Sequence, residues 1–512
     1  MFHTRLCGAY APGHNQATGR SLSNGSHLCL CCIEFQLYRK DTMKKIVGLA
    51  LPLLLLAACS TEEDALPKLN TLAAPTDYIV SNKGALAKNF GATVAKNGDN
   101  LKRFFPEAGF AVVSTSNPGA YKGVASTVVR DVTLQWLEPV ETVDFNGDAN
   151  PPSSGDDDPL FDLLWGLDAV NAPEAWNAGS RGDGVRVAIL DSGIDADHPD
   201  LEANLNKALS TSFVEGEKYA IDLPDGAFNH GTHVAGTVAA VDNTIGVVGV
   251  APDAELVAVK VLSEKNGSGS FAGVISGIIY AADIDSDVIN MSLGATLPKN
   301  GYSYEDEDGN IVKVGANEIA ALTTAISRAT TYAYQQGTTV VASAGNDSRD
   351  GDKDGPVISV PASSAHVLTI SATGPEGWAL DQSTDLDTPA FYTNYGQSVI
   401  DFAAPGGDVD FDLRPGGTAN RANWPVCTVA GVTNYCYIFD LVLSTINGSY
   451  GWAAGTSMAA PHASGIAALI IAENGGEMKP AQVEKIMRER AEDLGKRGND
   501  DFYGAGRVSS GY

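Results

Sequence analysis

Between residues 185 and 473, short apolar runs alternate with helix-length segments, and this alternation constrains the fold of the 512-residue chain more than any other feature. Val185 to Leu190, Leu256 to Leu262, Val288 to Leu293, Thr338 to Ala344, Val367 to Ile370 and Val399 to Ala403 are too short for helices and apolar on both faces. Such runs read as strands buried from both sides. Phe271 to Asp283, Asn317 to Gln336 and Met458 to Glu473 lie between or after them and have helical length. The pattern predicts an α/β fold, a doubly wound and mostly parallel sheet with helices on both faces. In such sheets the functional groups gather at the carboxyl ends of the strands.

Chemistry-bearing residues fall at those ends. The first run leads into Asp191-Ser192-Gly193, a carboxylate placed to orient a histidine. Asn229-His230-Gly231-Thr232-His233 opens a helix; His230 suits a mobile base, and His233 suits a structural hydrogen bond. Two histidines three apart lack the helical glutamate of a zinc protease motif. Far downstream, Gly455-Thr456-Ser457-Met458-Ala459 places a serine at a helix mouth, where unsatisfied N–H groups favour negative charge. Ala344-Gly345-Asn346 follows another strand and offers a side-chain amide as a second donor.

Taken together, Asp191, His230, Asn346 and Ser457, in that order, resemble the subtilisin-like serine proteases, from about Trp165-Gly166 to Gly504-Ala505-Gly506. The resemblance implies that Asp191 orients, His230 acts as base and then acid, and Ser457 attacks the scissile carbonyl. The Ser457 N–H and the Asn346 amide would hold the oxyanion. It also implies that Gly267-Ser268-Gly269 and Ser292-Leu293-Gly294 sandwich an extended protein or peptide substrate. Ser343, Ala344 and Gly345 would line the first specificity pocket, with Asp347 at its rim placed to tolerate a basic side chain. A structural Ca²⁺ is implied at the loop Val241 to Val247, through Val241, Asn243, Ile245 and Val247 with the carboxylates of Asp200 and Asp162, and no catalytic cofactor is expected.

The chain before the catalytic unit reads as export and processing apparatus. Met43-Lys44-Lys45 followed by an apolar stretch to Ala58 is a secretory signal, too short to span a bilayer. Leu56-Ala57-Ala58-Cys59 resembles a bacterial lipobox, so residues 43–59 form a lipoprotein signal with Cys59 lipidated. Residues 1–42 then read as a non-native upstream extension and 60–76 as a tether. Residues 77–145 form a small α+β unit, with strands at Tyr78 to Val80, Gly109 to Val113 and Leu134 to Leu137 and helical stretches between. This unit resembles the family's inhibitory propeptide. Residues 146–160 are a breaker-rich, acidic linker holding the processing site, cleavage falling between about Glu138 and Asp158, and 161–512 the protease.

After export, Cys427 and Cys436 are free to form a disulfide. The acidic stretch Glu305 to Asn310 and the segment from Gly406 to Asn447 depart from the family's short form. Asp408, Asp410 and Asp412 in the second are candidates for a further cation, with solvated charge as the plainer reading.

The net charge of −28 excludes a nucleic-acid partner, which needs a basic surface. The expected partners are protein or peptide substrates and the propeptide itself. Membrane contact is expected only through the lipid before processing, and the protein is expected to be a monomer. The expected location is the bacterial cell envelope for the anchored precursor, with mature enzyme extracellular or periplasmic. The leading reading is an exported, self-processing serine endopeptidase. The alternatives are a dedicated maturation protease for one secreted precursor and a catalytically silent binding protein on the same fold.

Overall fold

A computed structural model describes residues 75–138, 141–144, 157–305, 311–409 and 423–512. The upstream extension, the signal with Cys59, nearly all of the tether, most of the linker, Asp306 to Asn310, Asp410 and Asp412 lie outside the described residues.

The main sheet has the order Thr388–Pro389, Val367–Gly374, Thr339–Ser343, Val288–Met291, Arg186–Asp191, Glu255–Lys260 and Thr211–Ser212. Phe402–Pro405 also joins Val367–Gly374, and every pairing is parallel except that of Thr388–Pro389. All six apolar runs therefore enter one sheet. Helices His230–Ala239 and Thr456–Glu473 share one apolar core with one face of the sheet, and Phe271–Asp283 and Ala316–Gln336 share the other. Local signals fix the helix starts. The Asn229 side chain accepts the Thr232 N–H at 2.8 Å, and Ser270 Oγ accepts that of Gly273 at 2.9 Å. Among the described residues no helix is long and apolar enough to cross a membrane.

The smaller N-terminal unit is an antiparallel sheet ordered Asn100–Phe105, Phe110–Thr115, Thr76–Ser81 and Thr127–Arg130, with the helix Phe90–Asn97. It differs from expectation in three ways. Asn100–Phe105 is a strand that Lys102 and Arg103 hide from an apolar-pattern search. The second helical stretch is a single 3₁₀ turn, Pro118–Tyr121. The closing strand, Thr133–Gln135, does not join this sheet at all; it pairs antiparallel with Ser268–Ser270 of the larger unit.

Strict alternation explains why the N-terminal unit is held where it is. Val80, Ala111 and Val113 face its own helix, in a cluster with Phe90, Val94 and Tyr121. Ile79, Phe110, Val112 and Val129 belong to the core containing helices Phe271–Asp283 and Ala316–Gln336. Because side chains alternate with period two, one face serves the unit and the other serves its neighbour. Polar contacts fix the orientation: Arg103 donates to the Phe213 carbonyl at 2.8 Å, and Arg328 donates to Ser81 Oγ and Thr127 Oγ1 at 3.0 Å. The strands on either side of the acidic stretch, Gly301–Glu305 and Ile311–Gly315, pair antiparallel, and the Lys313 carbonyl accepts from Arg130 at 3.0 Å.

Candidate active site

Asp191 ends its strand buried, and His230 begins its helix buried. His230 Nδ1 lies 2.9 Å from both carboxylate oxygens of Asp191. The close approach requires Gly231: a Cβ there would sit 2.2 Å from the Gly193 carbonyl oxygen and 3.1 Å from Asp191 Cβ. Ser192, which carried no sequence signal, accepts from Asn229 Nδ2 at 3.1 Å and from Gly231 N–H at 3.2 Å, tying the strand end to the helix start. Lys260, fully buried, donates to the Ser192 carbonyl at 2.9 Å and pairs with Glu217 and Glu264 behind it. His233 lies within 3.2 Å of the Val442 and Gly451 carbonyl oxygens, and burial lowers its pKa to about 3, so it is neutral and structural.

Ser457 lies in the first turn of its helix. Its hydroxyl donates to the Ser292 carbonyl at 3.2 Å, and Ser292 Oγ donates back to the Ser457 carbonyl at 2.7 Å. His230 Nε2 is buried and has no hydrogen-bond partner among the described residues. The Ser457 hydroxyl is therefore bonded to a backbone carbonyl rather than to His230 Nε2, and such catalytic bonds often tighten only when substrate binds. Asn346 is oriented by Thr456, whose backbone N–H and hydroxyl donate to Asn346 Oδ1 at 2.9 and 2.8 Å. With Oδ1 used, the amide N–H groups are the end left for the site. Thr456 was legible only as part of the small-residue run, and its orienting role was not.

The two segments expected to sandwich a substrate hold the protein's own chain. Ser268↔Gln135 and Gly269↔Leu134 are paired, Trp136 N–H donates to the Gly267 carbonyl at 3.3 Å, and Gly294 N–H donates to the Trp136 carbonyl at 2.9 Å. The Trp136 ring is fully buried, edge-on to Phe271 at 4.9 Å, with its indole N–H on the Gly269 carbonyl at 2.8 Å. Glu138 Oε2 accepts the Asn346 backbone N–H at 2.5 Å. Farther on, Glu141–Asp144 pairs with Ser449–Ala454, the strand that runs into Ser457. Ser343 and Ala344 close the main-sheet strand beside this segment, and Gly345 has φ +99° where a Cβ would strike Asn394. Asn394, absent from the sequence reading, donates to the Ala344 carbonyl and accepts from Asp347 and Arg349 N–H groups. Asp347 does not face the pocket as a free charge, because Arg349 Nε holds it at 2.8 Å.

The loop Val241 to Val247 wraps Asp200, whose carboxylate accepts Val247 N–H at 3.0 Å and Asn243 Nδ2 at 3.2 Å, with Tyr450 as a further hydrogen-bond partner. Ile245 N–H donates to Asn243 Oδ1 at 3.0 Å, and Val241 N–H to the Asp200 carbonyl at 2.8 Å. A second carboxylate at the loop is that of Asp158, whose Oδ1 accepts the Ile245 N–H at 3.1 Å. The Leu160 N–H bond to the Gly246 carbonyl sets this register and carries Asp162 into the next turn, Phe161–Leu163. Asp157, Asp158 and Asp242 also have carboxylate oxygens within 4.8 Å of one another. Burial raises the Asp200 carboxyl above its ordinary range, and its hydrogen-bond partners among the described residues are neutral. An all-oxygen set with buried negative charge fits a hard divalent cation.

Cys427 and Cys436 form a disulfide across the hairpin Val426–Val429 and Val432–Tyr435. Asp408 is buried and accepts the Val409 N–H at 2.6 Å, so it is not part of a solvated acidic run.

A histidine held by a buried carboxylate, a serine at a helix mouth and an extended segment in the cleft define the site of a serine hydrolase acting on peptides. Residues 182–506 match the family described as the Subtilase family, and the chain belongs to it. It is 34% identical to Subtilisin Savinase of Lederbergia lenta over 346 residues, 68% of this chain and 96% of that protein. It is 33% identical to Subtilisin E of Bacillus subtilis (strain 168), covering 67% and 69% of the two chains. The epidermin leader peptide processing serine protease of Staphylococcus aureus superposes with a TM-score of 0.63 at 23% identity, covering 86% of this chain and 97% of that one. A lanthipeptide protease superposes with a TM-score of 0.50 at 27% identity, covering 68% and 92%. The protein is a serine endopeptidase. Its family typically carries structural calcium and uses no catalytic cofactor.

Proposed function

We propose that the protein is an exported endopeptidase, made as a self-inhibited precursor, that cleaves peptide bonds through Ser457, His230, Asp191 and Asn346. The observation that carries this reading is the position of residues 133–138, extended between Gly267–Gly269 and Gly294 on the face where Ser457 and His230 lie. With a substrate in that place, the Ser457 hydroxyl turns from the Ser292 carbonyl to His230 Nε2. His230 takes its proton as Oγ bonds to the scissile carbonyl carbon. The carbonyl oxygen becomes an anion held by Ser457 N–H and the Asn346 amide. Collapse breaks the C–N bond, and His230 gives the proton to the departing amine. Water then repeats the sequence on the acyl-enzyme, returning the proton to Ser457. Asp191 holds His230 Nδ1–H throughout.

The N-terminal unit acts as an inhibitory propeptide, with its last segment in the cleft. A Ca²⁺ at Asp158, Asp200 and the Val241 to Val247 loop would stabilise the fold, and no catalytic step passes through it. With Cys59 lipidated, cutting the linker would free the catalytic unit from the membrane. Labelling by a fluorophosphonate, lost in Ser457→Ala, tests the chemistry; an unlabelled wild-type protein would overturn it. Fractionating cells that make each version tests release, and mature enzyme still bound to membrane would refute it. A second reading, maturation of one secreted precursor, draws on the likeness to a lanthipeptide protease and on the Gly301–Gly315 hairpin that follows the cleft segment. Digestion of a mixed peptide pool separates the two: many cut sites support a general protease, one or two a dedicated one.

A further inference from the structure

We propose that the first specificity pocket takes a glutamate side chain, and that Glu138 is the residue by which the enzyme recognises its own precursor. The proposal rests on the endopeptidase reading above and deepens it. Three observations carry it. The Glu138 carboxylate reaches the loop after the strand Thr339–Ser343 and accepts the Asn346 N–H, while a Cβ on Gly345 would lie 3.4 Å from its other oxygen. That loop is rigid: Asn394 ties it at Ala344, Asp347 and Arg349, and Thr456 Oγ1 accepts the Gly345 N–H at 3.0 Å. Asp347, the group that would favour a basic substrate, is already paired with Arg349. A cavity of about 220 Å³ lined by Ala344 and Asn394 continues beside the loop, with Lys299, Arg349 and Asp354 as its charged walls.

The electrostatics are balanced rather than one-sided. Burial first, and Asp347 second, push the Glu138 carboxyl upward; the Asn346 N–H and Arg349 pull it back. Arg349 is therefore the charge that separates glutamate from glutamine, and Asp347 the charge that weakens the separation. A lysine in the same place would face the Asn346 N–H donor and the like charge of Arg349, with Asp347, already paired to Arg349, as the one opposing charge.

The purified protease is given quenched-fluorescent peptides Thr-Leu-Gln-Trp-Leu-X-Ser-Val, with X as Glu, Gln, Ala or Lys; serine replaces the proline that follows Glu138 so that the next bond is not prolyl. The expected order in kcat/KM puts Glu at least tenfold above Ala and a hundredfold above Lys. Arg349→Ala lowers Glu about tenfold and leaves Gln within threefold, and Asp347→Asn raises Glu severalfold. These two half-exposed variants move the preference in opposite directions, which misfolding cannot imitate. Ala or Lys equal to Glu, or an equal loss of Glu and Gln in Arg349→Ala, overturns the pocket. Fluorophosphonate labelling without cleavage of the Glu peptide overturns the pocket alone; no labelling and no cleavage overturn the endopeptidase chemistry as well.

Discussion

Trp136 is the anchor whose removal should open the cleft. Its ring is fully buried against Phe271, and its indole N–H bonds the Gly269 carbonyl at 2.8 Å. Burying about 200 Å² of aromatic surface at about 25 cal/mol per Å² amounts to roughly 5 kcal/mol, and the hydrogen bond adds about 1. Replacing a buried tryptophan by alanine typically costs about 3–5 kcal/mol, so Trp136→Ala should raise the population with an undocked segment by about 10²–10⁴. The assay is hydrogen exchange in a Ser457→Ala background, which keeps the chain uncut. The Gly294 amide, bonded to the Trp136 carbonyl, reports the opening directly. Its exchange should accelerate by that factor, while Val124→Ala, on an exposed surface of the N-terminal unit, leaves it unchanged. Acceleration of less than threefold in Trp136→Ala would show that the segment is held by something other than this pocket, and the docking argument would fail.

Three further outcomes are expected. Asn346→Ala should lower kcat by about 10²–10³ with little change in KM, the magnitude for which subtilisin itself supplied the reference; an unchanged kcat removes Asn346 from the oxyanion site. Asp131 accepts the Ala272 N–H at 2.9 Å at the start of a catalytic-unit helix, and burial raises its pKa from 3.8 to about 6. A pKa raised on docking means that Asp131 hinders docking least below pH 3.8 and progressively more until pH 6. Exchange of the Gly294 amide should therefore be slower in Asp131→Asn, and the ratio to wild type should grow about tenfold between pH 5 and 7. A ratio independent of pH refutes it. Removing calcium with EDTA should lower Tm by about 5 °C if the ion was present at about 100 times its Kd. That response should vanish in Asp158→Asn and survive in Asp162→Asn; the reverse result would restore Asp162 as the ligand.

The sheet and the candidate site residues were legible because the signals that mark them are local. Six apolar runs announce strands whatever surrounds them, and Asp191, His230, Asn346 and Ser457 each lie in a short run with a recognisable turn or cap. What escaped depends on contacts between distant residues. Thr456 orients Asn346 across 110 positions, and Asn394 fixes the pocket loop from a segment with no motif of its own. Asp158 meets the Val241 to Val247 loop beside a single backbone bond, Leu160 to Gly246, a long-range contact that acidic composition cannot reveal. Thr133–Gln135 read correctly as a strand but was given the wrong partner, since alternation shows that a strand exists and not which edge it meets.

That misplaced strand would give the proposed processing a direction. While the chain is whole, Ile79, Phe110, Val112 and Val129 sit in the core of the catalytic unit, and the sheet that bears them needs this cover on one face. A unit of this size buries too little apolar surface by its own means to be robust, and among the described residues only the buried cluster of Val80, Leu86, Phe90, Val94, Ala111, Val113 and Tyr121 remains wholly its own. If the linker is cut, as proposed above, and residues 133–138 leave the cleft, the released unit would expose that apolar sheet face, and its unfolding would compete with redocking. On the proposed reading, each copy that unfolds would be lost as an inhibitor and become a substrate. Cleavage of one bond is reversible in principle; coupled to unfolding of the piece it releases, it runs one way.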